Sequence, residues 1–292
     1  PEPRALEGKV LSLLFLSPSL RTLSSFQAAM VRLGGGAFVI SPSMSIHGME
    51  VASGVVMDGK AAEHLADAVP VIASYGDAIG VRVFPDRRNL QSDLADQTYL
   101  EVAKHVRKPL INLESAISHP CQSLADWKTL DELNVPESGG KIVISWAFHP
   151  RALPLSGPVS AVNMALLRGM DVTVLRPDGF ELPTQVAERA RAIAARSGGS
   201  FTETTDQRAA LRGAHVIYAK EWSSTRHYGD TTAELKLRNE HADWCVSDSW
   251  FRDAEPGCRL MHSMPVRRGV AVQDNVLDGP RSALIAQAEN RM

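Results

Sequence analysis

Short apolar runs alternate along the whole chain with longer stretches in which apolar positions recur every three or four residues. The first pattern predicts strands buried on both faces, the second helices packed over them. In the first half, strands are expected over 9–16, 37–40, 78–84 and 109–113, with helices over 19–33, 63–75, 98–106 and 122–133. Gly34-Gly35-Gly36 stops the first helix. It lacks the lysine and spacing of a phosphate loop. Pro136-Glu137-Ser138-Gly139-Gly140 is polar and turn-rich, and the domain boundary is placed there, giving domains 1–137 and 138–292. The alternation then restarts, with strands over 141–146, 171–175, 201–204, 215–219, 259–262 and 283–286, and helices over 159–168, 184–196 and 207–212. This predicts an α/β protein of two doubly wound parallel-sheet domains, with ligands taken in a cleft at the carboxyl ends of the strands.

Composition narrows the chemistry. The 292 residues are 44% hydrophobic and 22% charged, with a net charge of −2. That balance fits a globular enzyme and argues against a general nucleic-acid binder. No apolar run approaches the ~20 residues of a membrane span. Three cysteines without ligand spacing predict neither a disulfide framework nor a metal site, and suggest a reducing cytoplasm. No signal peptide is expected, although the start at Pro1 and the end at Met292 suggest residues missing from one or both ends.

Five short motifs carry candidate chemistry. Ser17-Pro18-Ser19-Leu20-Arg21-Thr22 follows a strand and opens a helix, where free N–H groups and the helix dipole favour an anion. Its plain alternative is a capped helix start with a surface arginine. Arg82 ends an apolar strand, where it serves either a ligand or an acidic partner. His119-Pro120-Cys121-Gln122 stands between a strand and a helix and offers groups for a planar amide. His262-Ser263-Met264-Pro265-Val266-Arg267-Arg268 follows a strand of the second half, and Glu289-Asn290-Arg291 closes the chain. Each is ambiguous alone. Together they place cations at strand ends in both halves, which reads as an anion held between them.

The order of these motifs resembles the aspartate/ornithine carbamoyltransferase family over nearly the full chain. Met57-Asp58-Gly59 with Glu63-His64, the stretch 146–154 and Tyr218-Ala219-Lys220-Glu221-Trp222 resemble its knotted branch, which includes N-acetylornithine and N-succinylornithine carbamoyltransferases. The proline-rich segment 150–158 would be the threaded loop. The resemblance implies that Ser19, Leu20, Arg21, Thr22, His47, Arg82, His119, Gln122, Ser263, Met264 and Arg291 hold carbamoyl phosphate, with Thr22, Arg82 and His119 stabilising the developing oxyanion. It implies that Glu114, Lys220, Ser263, Arg267 and Ala62 face the amine substrate. It further implies a cytoplasmic homotrimer in which the segment 45–62 of a neighbouring subunit completes each site, with no metal or organic cofactor. An alkylamine has a pKa near ~10, so the rate should rise with pH.

The sequence departs from the family pattern at several places. Ser263 replaces a cysteine, Leu23 an arginine, and His47 a tryptophan. Ala62 occupies an acceptor-selecting position, and Val159 stands where an asparagine is expected. The carbamoyl phosphate half is thus largely intact and the acceptor half rewritten. Two further readings follow: a knotted carbamoyltransferase for a different amine, and a non-catalytic carbamoyl phosphate-binding paralogue. His149 is left between a place near substrate and a structural role. Trp127, Trp244 and Trp250 are read as packing residues, and Arg87-Arg88 and Arg226-His227 as solvated loop charges.

Overall fold

The computed structural model describes residues 4–41 and 48–292. His47 lies outside the described residues, as does the start of the 45–62 segment. The elements of the first half are β1 (Val10–Phe15), α1 (Leu20–Arg32), β2 (Gly36–Ile40), β3 (Gly48–Glu50), β4 (Ala61–His64), α2 (Leu65–Ser74), β5 (Ala78–Arg82), α3 (Leu90–Leu94), α4 (Gln97–Lys104) and β6 (Leu110–Glu114). Then follow α5 (Pro120–Glu132), β7 (Lys141–Trp146), α6 (Ser156–Leu167), β8 (Asp171–Leu175), α7 (Thr184–Ser197), β9 (Ser200–Thr204), α8 (Gln207–Leu211), β10 (Val216–Lys220), α9 (Thr231–Asn239), β11 (Arg259–Met261), α10 (Asp274–Leu277) and α11 (Leu284–Glu289).

The chain packs as two compact units, one holding residues up to 86, 91–121 and 292, the other 87–90 and 122–291. The division falls in the first turn of α5, whereas the sequence punctuation lies beyond that helix, at 136–140. Helix α5 goes with the second unit because its buried Gln122, Asp126 and Thr129 find their partners there.

In the first unit, four strands run in the order β2-β1-β5-β6, all parallel. Leu13, Val81 and Leu113 are fully buried at its centre, as strands covered on both faces require. From β1 the order turns to β2 on one side and β5 on the other. The carboxyl ends of β1 and β5 therefore form the switch point where α/β sheets bind ligands. Helix α1 stops at Gly34, whose φ of +85° suits a residue without Cβ.

In the second unit, five parallel strands run in the order β11-β10-β7-β8-β9. The switch point here lies between β7 and β10, with Trp146 paired to Lys220 at the carboxyl ends. Trp146, Tyr218 and Trp222 are fully buried beside it.

Three expectations are corrected. The strand expected over 283–286 is helix α11. Its apolar run is too short to fix a period, and inside it Leu284 is buried while Ile285 is 68% exposed. Helix α6 begins at Ser156, so the last residues of the proline-rich segment are helical. Pro158 sits in the first turn, where its missing N–H costs nothing. Arg87 is not a solvated charge; it donates to the carbonyl of Ala152. Among the described residues no helix is long and apolar enough to cross a membrane, and no group of three or more His, Cys, Asp and Glu is arranged to hold a metal.

Candidate active site

Each unit carries a group of candidate residues at its own switch point. In the first unit, Ser19 is the N-cap of α1, with φ −159° and ψ 112°. Its hydroxyl oxygen accepts from the backbone N–H of Thr22 at 3.3 Å and donates to Thr22 Oγ1 at 3.0 Å. Leu20 is 75% exposed and Thr22 is buried. No acidic residue sits in the first turn, so the positive end of the helix is not neutralised from within.

Phe15 pairs with Arg82 across β1 and β5. This brings Arg82 beside the Ser19–Thr22 turn, and Ser17 N–H bonds to the Arg82 carbonyl at 3.3 Å. Arg82 is 6% exposed, ion-paired to Glu114 Oε2, and stacked on Phe84 at 4.5 Å. His119 Nε2 lies 3.3 Å from the same carboxylate oxygen. Burial pushes the Arg21 guanidinium pKa down, and the charge of Arg82 pushes it further. A second guanidinium near the uncompensated helix N-terminus favours an anion there.

The loop between Glu114, at the end of β6, and His119 is clamped by Asp96. Its carboxylate accepts from Ser115 Oγ at 2.5 Å and from Ala116 N–H at 3.0 Å. Asp96 itself adopts a φ of +55°, and burial raises its pKa. Ala62 lies on β4 and is exposed.

In the second unit, Lys220 ends β10 and its ammonium approaches Glu221 Oε2 at 3.4 Å and the Ser263 carbonyl at 3.5 Å. A Cβ on Gly157 would meet Lys220 Cε at 3.0 Å, so glycine lets the lysine lie over the start of α6. Glu221 is 2% exposed and also meets His262 Nε2 at 3.0 Å. Burial alone would raise its pKa, but Lys220 and His262 together hold the carboxyl well below the usual range. Arg267 donates from Nε to His149 Nε2 at 2.8 Å, while His149 Nδ1 faces the Arg151 carbonyl at 2.9 Å. That pairing suits a neutral ring protonated on Nδ1, and burial lowers the His149 pKa. His149 thus orients Arg267.

Gln122, Ser263 and Arg291 are joined by a buried network. Arg291 Nη1 donates to Gln122 Oε1 at 2.7 Å. Gln122 Nε2 donates to Asp126 Oδ1 at 2.7 Å, and Tyr218 hydroxyl donates to Asp126 Oδ2 at 3.0 Å. Ser263, at the expected cysteine position, is buried close enough to Tyr218 to lower the pKa of its hydroxyl against the rise that burial causes. Met264 precedes a cis peptide bond to Pro265. Val159 is buried in α6.

The first unit therefore brings Ser19, Leu20, Arg21, Thr22, Arg82, Glu114 and His119 to one sheet end. The second holds Gln122, Ser263 and Arg291 in one network, with Lys220 at the end of β10 and Arg267 on the loop after β11. Sequence reasoning missed Asp96, Asp126, Glu221 and Gln287. Signals existed for two: Asp126 follows Gln122 by one helical turn, and Glu221 follows Lys220 directly.

Residues 1–132 match the carbamoyl-P binding domain, and residues 159–292 the Asp/Orn binding domain, of aspartate/ornithine carbamoyltransferase. The chain belongs to the aspartate/ornithine carbamoyltransferase family. It is 37% identical over 290 residues to N-acetylornithine carbamoyltransferase of Xanthomonas campestris pv. campestris, covering 98% of this chain and 85% of the relative. It is 33% identical over 284 residues to N-succinylornithine carbamoyltransferase of Bacteroides thetaiotaomicron, covering 97% and 84%. The crystal structure of acetylornithine transcarbamylase complexed with acetylcitrulline superposes with a TM-score of 0.93 at 35% identity, covering 99% of this chain and 87% of that one.

Proposed function

We propose that this chain is a carbamoyltransferase that moves the carbamoyl group of carbamoyl phosphate to the side-chain amine of an N-acylated ornithine. The products are a citrulline derivative and phosphate, a step of the arginine-biosynthesis type. One observation carries the reading: the N-terminus of α1, capped by Ser19 and without an acid in its first turn, stands at the switch point beside the end of β5 that bears Arg82, which suits a phosphate. Relatives named for N-acetylornithine and N-succinylornithine carbamoyltransfer support the acyl-ornithine acceptor.

In this reading Ser19, the Leu20 backbone, Arg21, Thr22 and Arg291 hold the phosphate. Arg82 and His119, with Thr22, meet the carbamoyl oxygen, and Gln122 meets the carbamoyl amide. The neutral amine attacks the carbamoyl carbon and a C–N bond forms. Charge builds on the carbonyl oxygen, where each donor contributes roughly 3–4 kcal/mol. The C–O bond to phosphate then breaks, and the departing phosphate accepts the amine proton. Lys220 and Arg267 supply positive charge for the carboxylates of the acceptor, while Glu114 and Ser263 face its amine end. We assign 1–137 and 138–292 as the carbamoyl phosphate and amino-acid domains, with the proline-rich segment before α6 as a threaded loop. The working form is a cytoplasmic homotrimer, in which the 45–62 segment of a neighbour, with His47 and Ala62, completes each site.

The test is a panel of amines with carbamoyl phosphate, scored for ureido product. N-acetylornithine or N-succinylornithine is expected to turn over at least about tenfold faster, by kcat/KM, than ornithine or diaminopropionate. A preference for diaminopropionate would point to a different acceptor. Tight carbamoyl phosphate binding with no turnover on any amine would make the chain a binding paralogue.

A further inference from the structure

Asp126 lies on α5 one turn beyond Gln122 and is 1% exposed. Its Oδ1 accepts from Gln122 Nε2 at 2.7 Å and from Gln287 Nε2 at 2.7 Å, and its Oδ2 from the Tyr218 hydroxyl at 3.0 Å. Gln287 Oε1 in turn accepts from the backbone N–H of His262 at 3.0 Å, so both ends of that amide are committed. The three groups that donate to the carboxylate are neutral. Burial pushes the Asp126 pKa up to about 6, which leaves it ionised at pH 8.

An ionised carboxylate only accepts hydrogen bonds. It therefore fixes which way the Gln122 amide faces, because the two ends of that amide are nearly alike in shape and opposite in hydrogen-bonding sense. The NH₂ end is held by Asp126. The Oε1 end points to Arg291, which only donates. Once Arg291 turns to a phosphate, Asp126 remains to hold the amide in this sense.

We propose that Asp126 is the positioning residue that makes the site prefer carbamoyl phosphate to acyl phosphates, by holding Gln122 Oε1 as an acceptor for the carbamoyl NH₂. The inference rests on the assignment of Gln122 to carbamoyl phosphate. Acetyl phosphate carries a methyl group where carbamoyl phosphate carries NH₂. It leaves Oε1 facing a group that cannot donate.

The test is calorimetric titration of the full chain at pH 8, without amine, with carbamoyl phosphate and with acetyl phosphate. The wild type is expected to bind carbamoyl phosphate at least about tenfold more tightly than acetyl phosphate. In Asp126→Asn, whose amide can accept from Gln122 Nε2 or donate to Gln122 Oε1 and so tolerates either sense of that amide, that ratio is expected to fall to about threefold or less. Tyr218→Phe keeps an acceptor-only carboxylate, and the ratio is expected to survive. Adding Asp126→Asn to Gln122→Met should change the ratio no further than Gln122→Met does alone. If Asp126→Asn does not fold, Asp126→Ser, which admits water able to donate or accept, should show the same collapse. Equal weakening of both ligands in the Asp126 variant would leave the ratio intact and overturn the proposal. So would a wild type that binds both phosphates equally. A wild type that binds neither would overturn the carbamoyltransferase reading itself.

Discussion

Arg21→Ala is expected to weaken carbamoyl phosphate binding by roughly 10²-fold, measured by calorimetry without amine. The effect is electrostatic. Arg21 is half-buried and shares its surroundings with Arg82, and both effects lower its pKa. An arriving phosphate gains charge-assisted bonds to the guanidinium and relieves the repulsion between the two arginines. The Ser19 cap and the free N–H groups of α1 remain in the variant, so a residual affinity survives. The melting temperature should not fall, because removing one of two neighbouring cations takes away a repulsion. Retained affinity in Arg21→Ala would contradict the role given to this residue.

Arg82→Met is expected to cut kcat by about 10²–10³-fold, the loss typical of one oxyanion donor. It differs from Arg21→Ala in also destabilising the fold, by about 3 kcal/mol, because Glu114 would lose its buried ion-pair partner. His119, 3.3 Å from the same carboxylate, offsets part of that loss. A second variant separates the two effects. Arg82→Met/Glu114→Gln removes the orphaned charge, so stability should recover while turnover stays low. Recovery of turnover along with stability would show that Arg82 acts only as a structural partner of Glu114.

The parts of this architecture that the sequence revealed are those set by local period. The parallel strands β1, β5, β7, β8 and β10 are continuous apolar runs, and each was legible to within two residues at either end. Strands β3 and β4 were not. They are only three and four residues long, Gly48-Met49-Glu50 and Ala61-Ala62-Glu63-His64, with no apolar run or strict alternation, and they pair with each other. Helix α11 was misread because four apolar residues fit a buried strand and a short helix equally well.

At the site, the sequence exposed the residues that meet a ligand, because arginine and histidine at strand ends are rare and conspicuous. The groups that hold those residues were less visible. Asp126 and Gln287 meet at 2.7 Å though 161 residues apart in the chain. Asp96 clamps a loop 20 residues further on. No periodicity records such pairings; only the folded sheet brings them together. Glu221 was in view beside Lys220, but its link to His262 spans 41 residues.

The proposed function assigns Ser19, Arg21, Thr22, Arg82, His119, Gln122 and Arg291 to one molecule of carbamoyl phosphate. A crystal structure with carbamoyl phosphate and no amine tests it most directly. Phosphate oxygens are expected to bond to Ser19, Arg21, Thr22 and Arg291, with the carbamoyl oxygen against Arg82 and His119 and its NH₂ against Gln122 Oε1. A ligand touched by residues of one unit alone, or bound away from the α1 N-terminus, would contradict it.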